Sequence, residues 1–198
     1  MANEDVDQER RRFLVTATSV VGGAGVVALG YPFVASWKPS AQAQAAGAPV
    51  EVNIGQMEPG QLIRVQWRGQ PVWILKRSEE MLATLPKLEP RLADPHSAVV
   101  SQQPAYAQNQ HRSLKPEIAV MIGLCTHLGC TPNYRPDVAP DDLGPDWLGG
   151  FFCACHGSFF DYAGRVYRNN PAPTNLPIPP HMYLSDTTIL IGEDEGVA

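Results

Sequence analysis

The sequence predicts a mainly β head preceded by one transmembrane helix, and two observations support this prediction. Charged residues make up only 18% of the chain, whereas Pro (19) and Gly (17) are frequent, which is typical of a loop-rich β fold rather than a helical bundle. Residues 13–37, by contrast, form a long apolar stretch without a charged side chain. The chain of 198 residues is long enough for one compact domain beyond this stretch.

Residues 13–37 have the length and the flanks of a membrane anchor. As a helix they would extend about 37 Å, enough to cross a hydrocarbon core of roughly 30 Å with some tilt. Three consecutive arginines, Arg10 to Arg12, precede them. Because basic residues stay on the cytoplasmic side of a membrane, we expect residues 1–12 in the cytoplasm and the chain beyond Trp37 on the opposite side.

The arginines also belong to a targeting motif. Arg10-Arg11-x-Phe13-Leu14 resembles a twin-arginine export signal. The alternative is a cleaved signal peptide, since residues 41–43 and 43–45 both look like small-x-small cleavage sites. The apolar run is longer than a usual signal core of about 7–15 residues, which favours a retained signal-anchor. Residues 38–49 are small, polar and without pattern, so we interpret them as a flexible tether, either coil or transient helix.

The head, residues 50–198, starts with a predicted β-hairpin. Residues 61–67 alternate between apolar and polar side chains, a Gly- and Pro-containing break follows, and residues 72–75 form a second apolar run. Ser78 is a candidate N-cap for a helix that we expect to end at Pro86.

The rest of the head carries fewer signals of regular structure. Residues 86–116 have no clear period and predict an irregular segment. Residues 118–122 and 187–191 are apolar runs rich in β-branched side chains, which predict a buried strand and a closing strand. Residues 137–150 are rich in Pro, Gly and Asp, so we expect a surface loop there.

The chemistry is concentrated in two short boxes that hold all four cysteines and two of the five histidines. The boxes are Cys125-Thr-His127-Leu-Gly-Cys130 and Cys153-Ala-Cys155-His156-Gly-Ser158. Each offers a soft thiolate and an imidazole within a few residues, so each can hold one metal atom from a tight loop. A C-x-H box followed by a C-x-x-H box is specific for a [2Fe–2S] centre in which two histidines replace two cysteines on one iron.

Three other kinds of site fit this spacing less well. A tetrahedral zinc site favours C-x₂₋₄-C pairs, and C-x-H is unusual there. Two plain disulfides would leave both histidines without a role. A cysteine nucleophile with a histidine partner would not need two matching boxes.

Together the boxes resemble those of the Rieske subunit of quinol–cytochrome c oxidoreductase, the cytochrome bc complex. The resemblance continues in Arg68-Gly-Gln-Pro-Val-Trp-Ile, Gln103-Pro-Ala-Tyr, Lys115-Pro-Glu, Asp161-Tyr-Ala-Gly-Arg165 and the "Pro loop" of residues 170–176. It implies a Rieske-type antiparallel β-sandwich with a small cluster-binding subdomain at about residues 123–176.

The resemblance also implies a role for each group in the boxes. By that match Cys125 and Cys153 bind one iron of a single [2Fe–2S] cluster, and His127 and His156 bind the other. Cys130 and Cys155 would form a disulfide, which persists outside the cytoplasm. The residues that the resemblance places around the cluster are Leu128, Gly129, Gly157, Ser158, Phe160, Pro171, Ala172 and Pro173.

By the same resemblance, the chain is an enzyme subunit of a proton-translocating quinol–cytochrome c reductase. Its head would oxidise ubiquinol at the outer quinol site of cytochrome b, through His127 or His156, and pass the electron to a membrane-bound c-type cytochrome. The implied setting is a dimeric complex in the bacterial inner membrane, with the head in the periplasm. A net charge of −5 without a basic stripe argues against nucleic acid as a partner.

Three other Rieske proteins remain as alternatives. An oxygenase needs a second iron domain, for which the head has no room. A soluble ferredoxin would lack the anchor and the Cys130/Cys155 pair. The small subunit of an exported molybdenum oxidase, such as arsenite oxidase, is the nearest rival because it can share the export signal and the disulfide.

Phe160 departs from the family pattern. This position is usually Tyr in high-potential members, where the hydroxyl bonds a ligand cysteine sulfur. Without that donor the more negative reduced cluster is less stabilised, so the sequence predicts a lowered reduction potential.

Overall fold

The computed structural model describes residues 7–195, without the side chain of Ala46. The chain divides into two compact units, with the boundary between Ala45 and Ala46. In the first unit, helix α1 (Gln8–Ala35) is long and apolar enough to cross a membrane, and none of its side chains is buried. The Asp7 carboxylate caps it by accepting hydrogen bonds from the backbone N–H groups of Glu9 and Arg10.

The bounds of α1 differ from the predicted anchor, residues 13–37. The helix includes all three arginines, because the Asp7 cap starts it before them, and it ends at Ala35, with Pro32 in its last turn. Residues 1–6 of the predicted cytoplasmic segment lie outside the described residues. The predicted tether contains a short helix, α2 (Ala41–Ala46).

The described part of the second unit, up to residue 195, contains nine strands in three antiparallel sheets of three. The strands are β1 (Val50–Asn53), β2 (Leu62–Trp67), β3 (Gln70–Lys76), β4 (Ile118–Ile122), β5 (Asn133–Arg135), β6 (Gly150–Cys153), β7 (Ser158–Phe160), β8 (His181–Ser185) and β9 (Thr188–Ile191). The strand orders are β1-β9-β8, β2-β3-β4 and β5-β6-β7. The predicted hairpin, buried strand and closing strand are confirmed as β2–β3, β4 and β9.

The β2-β3-β4 sheet is covered on both faces, which explains the unbroken apolar run in β3. Trp73 and Leu75 face the hydrophobic core that also contains the buried cysteines. Val72 and Ile74 face a second core, shared with β1 and β9. Because successive side chains of a strand point to opposite faces, a strand between two cores is apolar at every position.

Helix α3 (Glu79–Leu88) confirms the predicted cap and corrects the predicted end. The Ser78 hydroxyl accepts a hydrogen bond from the backbone N–H of Met81. Pro86 does not end the helix, which continues to Leu88. Leu85 and Leu88 are both buried, and their packing offsets the backbone hydrogen bond that proline removes.

Residues 86–116 are largely irregular, as predicted, with three short 3₁₀ turns at Glu89–Arg91, Val100–Gln102 and Ala105–Ala107. Irregular backbone needs hydrogen-bond partners from side chains when it is buried. Buried arginines supply several of them.

Three arginines, Arg77, Arg112 and Arg165, are buried around the turn at residues 161–165. Arg77 and Arg112 donate to carbonyl oxygens of this turn, and Arg165 Nε lies 2.7 Å from a carboxylate oxygen of Asp161. Burial lowers the pKa values of Arg77 and Arg112 to about 10, while the Asp161 carboxylate opposes that shift. Asp161 is therefore the negative charge that favours the ionised form of both arginines, with Glu117 adding to its effect on Arg77 and Asp94 to its effect on Arg112.

Residues 137–150 differ from the surface loop that we expected. Trp147 is only 2% exposed, and it packs with Leu88, Leu92 and Tyr167 in a third, smaller core. The aspartates of the segment are exposed, as expected for a surface loop. The Pro, Gly and Asp content did not indicate that Trp147 would be buried.

Buried His181 predicts a loss of stability on acidification. Desolvation lowers its pKa, so below the ordinary value of 6.5 the unfolded chain takes up a proton that the folded chain does not. Stability therefore falls as the pH drops through that value. We expect His181→Gln to flatten the change in denaturation midpoint between pH 7 and pH 5. An equally steep change in the variant would contradict this assignment.

Candidate metal centre

The two boxes form two matching loops, residues 125–130 and residues 153–158. In each, the backbone N–H of a glycine four residues after the first cysteine donates to that cysteine's carbonyl oxygen, at 2.9 Å. The glycines, Gly129 and Gly157, have φ values of +79° and +78°, a conformation that other residues rarely adopt. Strand β4 leads into the first loop, and the second loop connects β6 to β7.

These turns bring the two histidines together. The ring centroids of His127 and His156 lie 4.7 Å apart, with the planes at 87°. The Nδ1 atom of His127 is buried and has no hydrogen-bond partner among the described residues. A buried ring nitrogen without a partner is costly unless a metal ion accepts its lone pair.

Cys125 and Cys153 are free and buried, at 3% and 2% exposure. Burial raises the pKa of the Cys153 thiol, and the adjacent Cys125 thiol adds to that shift. Without a positive charge the Cys153 sulfur therefore favours the protonated form. Binding of iron, which needs thiolates, would release its proton.

Cys130 and Cys155 form a disulfide that joins the two loops, as the family resemblance implies. The Cys153 sulfur lies within 4.8 Å of both disulfide sulfurs. Of the six cysteine and histidine groups in the boxes, the disulfide removes two. The remaining two thiols and two imidazoles suit a [2Fe–2S] cluster of the Cys₂His₂ type.

The Pro loop, residues 170–176, is tied to both cysteine loops. The hydroxyl of Ser158 accepts a hydrogen bond from the backbone N–H of Ala172 at 3.1 Å. The hydroxyl of Thr126 donates to the carbonyl oxygen of Thr174 at 2.7 Å. Ala172 is buried between the exposed Pro171 and Pro173.

Sequence reasoning missed the Thr126 hydroxyl, which fastens the Pro loop, because Thr126 lies within the first box without being a candidate ligand.

The predicted site residues differ in their exposure. Ser158 and Phe160 are fully buried, whereas His156 is exposed and Leu128 is 70% exposed. The site therefore has a closed interior and an open tip.

Two buried thiols, two adjacent imidazoles and a disulfide between the loops define a Rieske-type iron–sulfur protein, which carries one [2Fe–2S] cluster. The model of the Rieske [2Fe-2S] domain family matches residues 49–180. A second family model, described as "Ubiquitinol-cytochrome C reductase Fe-S subunit TAT signal", matches residues 1–40.

Curated relatives narrow the class further. The ubiquinol–cytochrome c reductase iron–sulfur subunit of Allochromatium vinosum is 62% identical over 198 residues, covering 100% of this chain and 95% of the relative. That of Blastochloris viridis is 42% identical and covers 100% of both chains. The chain therefore belongs to the family of ubiquinol–cytochrome c reductase iron–sulfur subunits. A chain of a solved hyperthermophilic respiratory complex III is similar over 90% of this chain and 98% of its own, with 21% identity and a TM-score of 0.49.

Phe160→Tyr is expected to raise the reduction potential of the cluster. The Phe160 ring is fully buried in the same core as Cys125 and Cys153, so we expect a new hydroxyl there to donate to one of these sulfurs. A hydrogen bond that favours the reduced state by about 1 kcal/mol corresponds to roughly 40 mV. A potentiometric titration checks this.

Phe33→Tyr is the matched control, since it adds the same hydroxyl to an exposed ring of helix α1, outside the unit that contains the cysteines. An unchanged or lowered potential in the Phe160 variant would contradict the prediction.

Proposed function

We propose that this chain is the mobile electron-transfer subunit of a membrane-bound cytochrome bc complex. Its head oxidises ubiquinol at the outer quinol site of cytochrome b and passes the electron to a membrane-bound c-type cytochrome. The observation that carries the proposal is the 62% identity, along the whole chain, to a ubiquinol–cytochrome c reductase iron–sulfur subunit. The bound cluster supplies one-electron redox chemistry.

The open tip of the head supports quinol as the electron donor. We assign Cys125 and Cys153 to one iron and His127 and His156 to the other. His156 is the more exposed of the two histidines, so we assign it to the contact with quinol. With the cluster bound, the exposed imidazole of His156 would accept a hydrogen bond from a quinol hydroxyl and then its proton, and the cluster would supply the one-electron acceptor. Leu128, 70% exposed beside His127, offers an apolar surface to cytochrome b.

Helix α1 supports a membrane anchor with the head in the periplasm of a bacterial inner membrane. The helix has no buried side chains, and its arginines lie in its first turns, where basic residues mark the cytoplasmic end. The disulfide suits an oxidising compartment. The tether between the units, residues 38–49, would let the head move between cytochrome b and the c-type cytochrome of a dimeric complex.

The alternative, a small subunit of an exported molybdenum oxidase, has less support. The relatives at 62% and 42% identity are both named as ubiquinol–cytochrome c reductase subunits. No feature of the site favours the oxidase over the reductase.

Purification of the tagged full-length chain from its own membranes tests the proposal. We expect b-type and c-type haem to copurify with it, and the complex to reduce cytochrome c with ubiquinol in an inhibitor-sensitive reaction. His156→Ala should abolish that reaction while both haems still copurify. Copurification of a molybdenum cofactor without b-type haem would contradict the proposal.

A further inference from the structure

An aromatic stack covers the outer face of the β6–β7 hairpin, the face opposite the cysteines. Phe152 of β6 and Phe159 of β7 are directly paired across the strands, with ring centroids 5.0 Å apart. Trp147 packs on Phe159 at 5.5 Å, and Tyr167 lies 6.0 Å from the same ring. The stack therefore holds the hairpin from the side that does not face the metal centre.

The inner face of the same hairpin carries the groups of the metal centre. Cys153 and Ser158 are paired across the strands, and both are buried. Because side chains alternate along a strand, Phe152 and Phe159 are each one residue from these inner groups and point the other way. A displacement of the outer rings therefore moves the backbone that carries Cys153 and Ser158.

Trp147 belongs to residues 136–149, which we name the Trp147 excursion, and several contacts fix this segment. The Arg135 guanidinium, at its start, pairs with both Asp137 and Asp142 at 2.7 Å. The indole N–H of Trp147 donates to the carbonyl oxygen of Arg135 at 3.2 Å. Arg91, from outside the excursion, donates to the carbonyl oxygen of Asp146 at 2.8 Å. One of these contacts holds the Trp147 ring directly, and the others hold the chain on either side of it.

Ser158 is the inner group through which a shift of the hairpin would change the environment of the metal centre. Its hydroxyl accepts a hydrogen bond from the backbone N–H of Ala172, which leaves its own proton available to donate within the buried site. Donors near an iron–sulfur cluster stabilise the reduced, more negative state and raise its potential. The potential therefore depends on where the hairpin places this hydroxyl.

We propose that Trp147 is a positioning residue for the metal centre. It packs against Phe159 and so fixes the position of Ser158 and of the second cysteine loop. Trp147 is then the residue of the excursion that sets the redox properties of the cluster from outside the site. The inference requires a bound cluster in this loop, but it does not require that quinol is the electron donor.

The test compares Trp147→Leu and Trp147→Phe with the natural chain in the complete membrane complex. We expect Trp147→Leu to lower the midpoint potential of the cluster and to broaden its EPR signal, at an iron content equal to that of the natural chain. Trp147→Phe, which keeps an aromatic ring against Phe159, should retain a midpoint potential and an EPR signal close to those of the natural chain. Neither readout uses turnover with quinol, so failure of the proposed function would leave this test valid.

Leu143→Ala and Asp141→Ala are the matched controls. Leu143 packs against the same small core without belonging to the aromatic stack, so its variant should lower the melting temperature and leave the potential unchanged. Asp141 is exposed, and its variant should change neither property. The proposal is overturned if Trp147→Leu lowers the melting temperature but keeps the natural potential and EPR signal. It is also overturned if Leu143→Ala shifts the potential as much as Trp147→Leu does.

Discussion

Replacing Cys125 by Ala is expected to abolish the [2Fe–2S] cluster, with complete loss of its EPR signal in membranes. The physical reason is the scarcity of ligands. Cys125 and Cys153 are the free cysteines of the two loops, and both lie buried in one core. By the proposed ligand assignment, removal of one of them would leave one iron with a single protein thiolate, and neither disulfide cysteine is free to replace it.

The double variant Cys130→Ala/Cys155→Ala is the informative comparison. These sulfurs are assigned to a covalent link rather than to iron, so this variant should still assemble a cluster with a Rieske-type signal. It should be less stable, by roughly 3 kcal/mol for a loop of this size, because the link closes a sequence separation of 25 residues. A normal cluster in the Cys125 variant, or none in a folded double variant, would contradict the assignment.

Removing the carboxylate of Asp161 is expected to cause the largest loss of folding stability away from the metal centre. The side chains of Asp161 and Arg165 are both fully buried, and Asp161 also accepts backbone N–H groups from Ala163 and Arg165. Breaking a buried pair costs about 3–5 kcal/mol, since the remaining charge is poorly compensated. Here only the more distant Glu89 carboxylate, 3.9 Å from the guanidinium, would remain to pair with Arg165. Arg77 and Arg112, which Asp161 also stabilises, make that site more positive still.

Two variants separate the contributions of Asp161 in chemical denaturation. Asp161→Ala should give the full loss of stability, whereas Asp161→Asn should retain part of it by keeping an acceptor for the backbone N–H groups. Asp186→Ala removes an exposed carboxylate that pairs with Lys115, and it should leave the midpoint unchanged. Equal midpoints for the Asp161→Ala and Asp186→Ala variants would show that the buried pair has no special role.

The sequence was most informative where a few residues determine local chemistry. The spacing of the cysteines and histidines was enough to predict the metal centre, because a C-x-H turn closed by glycine can be recognised without knowing the rest of the fold. The β2–β3 hairpin was equally predictable, because a glycine lies in the break between its two apolar runs. A tight hairpin turn requires positive φ at its tip, where Arg68 and Gly69 both adopt it, and glycine does so readily.

Other features depend on distant contacts that a local pattern does not contain. Pro86 predicts the end of a helix, and only the burial of Leu85 and Leu88 explains why helix α3 continues past it. Trp147 lies in a segment with the composition of a surface loop, and its packing partner Tyr167 is 20 positions away along the chain. The role of the Trp147 excursion therefore emerges only from the folded structure.

The most direct test of quinol oxidation at the exposed tip is an EPR-monitored redox titration of the native membranes, with and without an inhibitor of the outer quinol site. Contact between His156 and the quinol site predicts a Rieske-type signal whose line shape changes with the redox state of the quinone pool and with the inhibitor. A Rieske-type signal with the same line shape under all of these conditions would leave the cluster in place but contradict quinol oxidation at the tip.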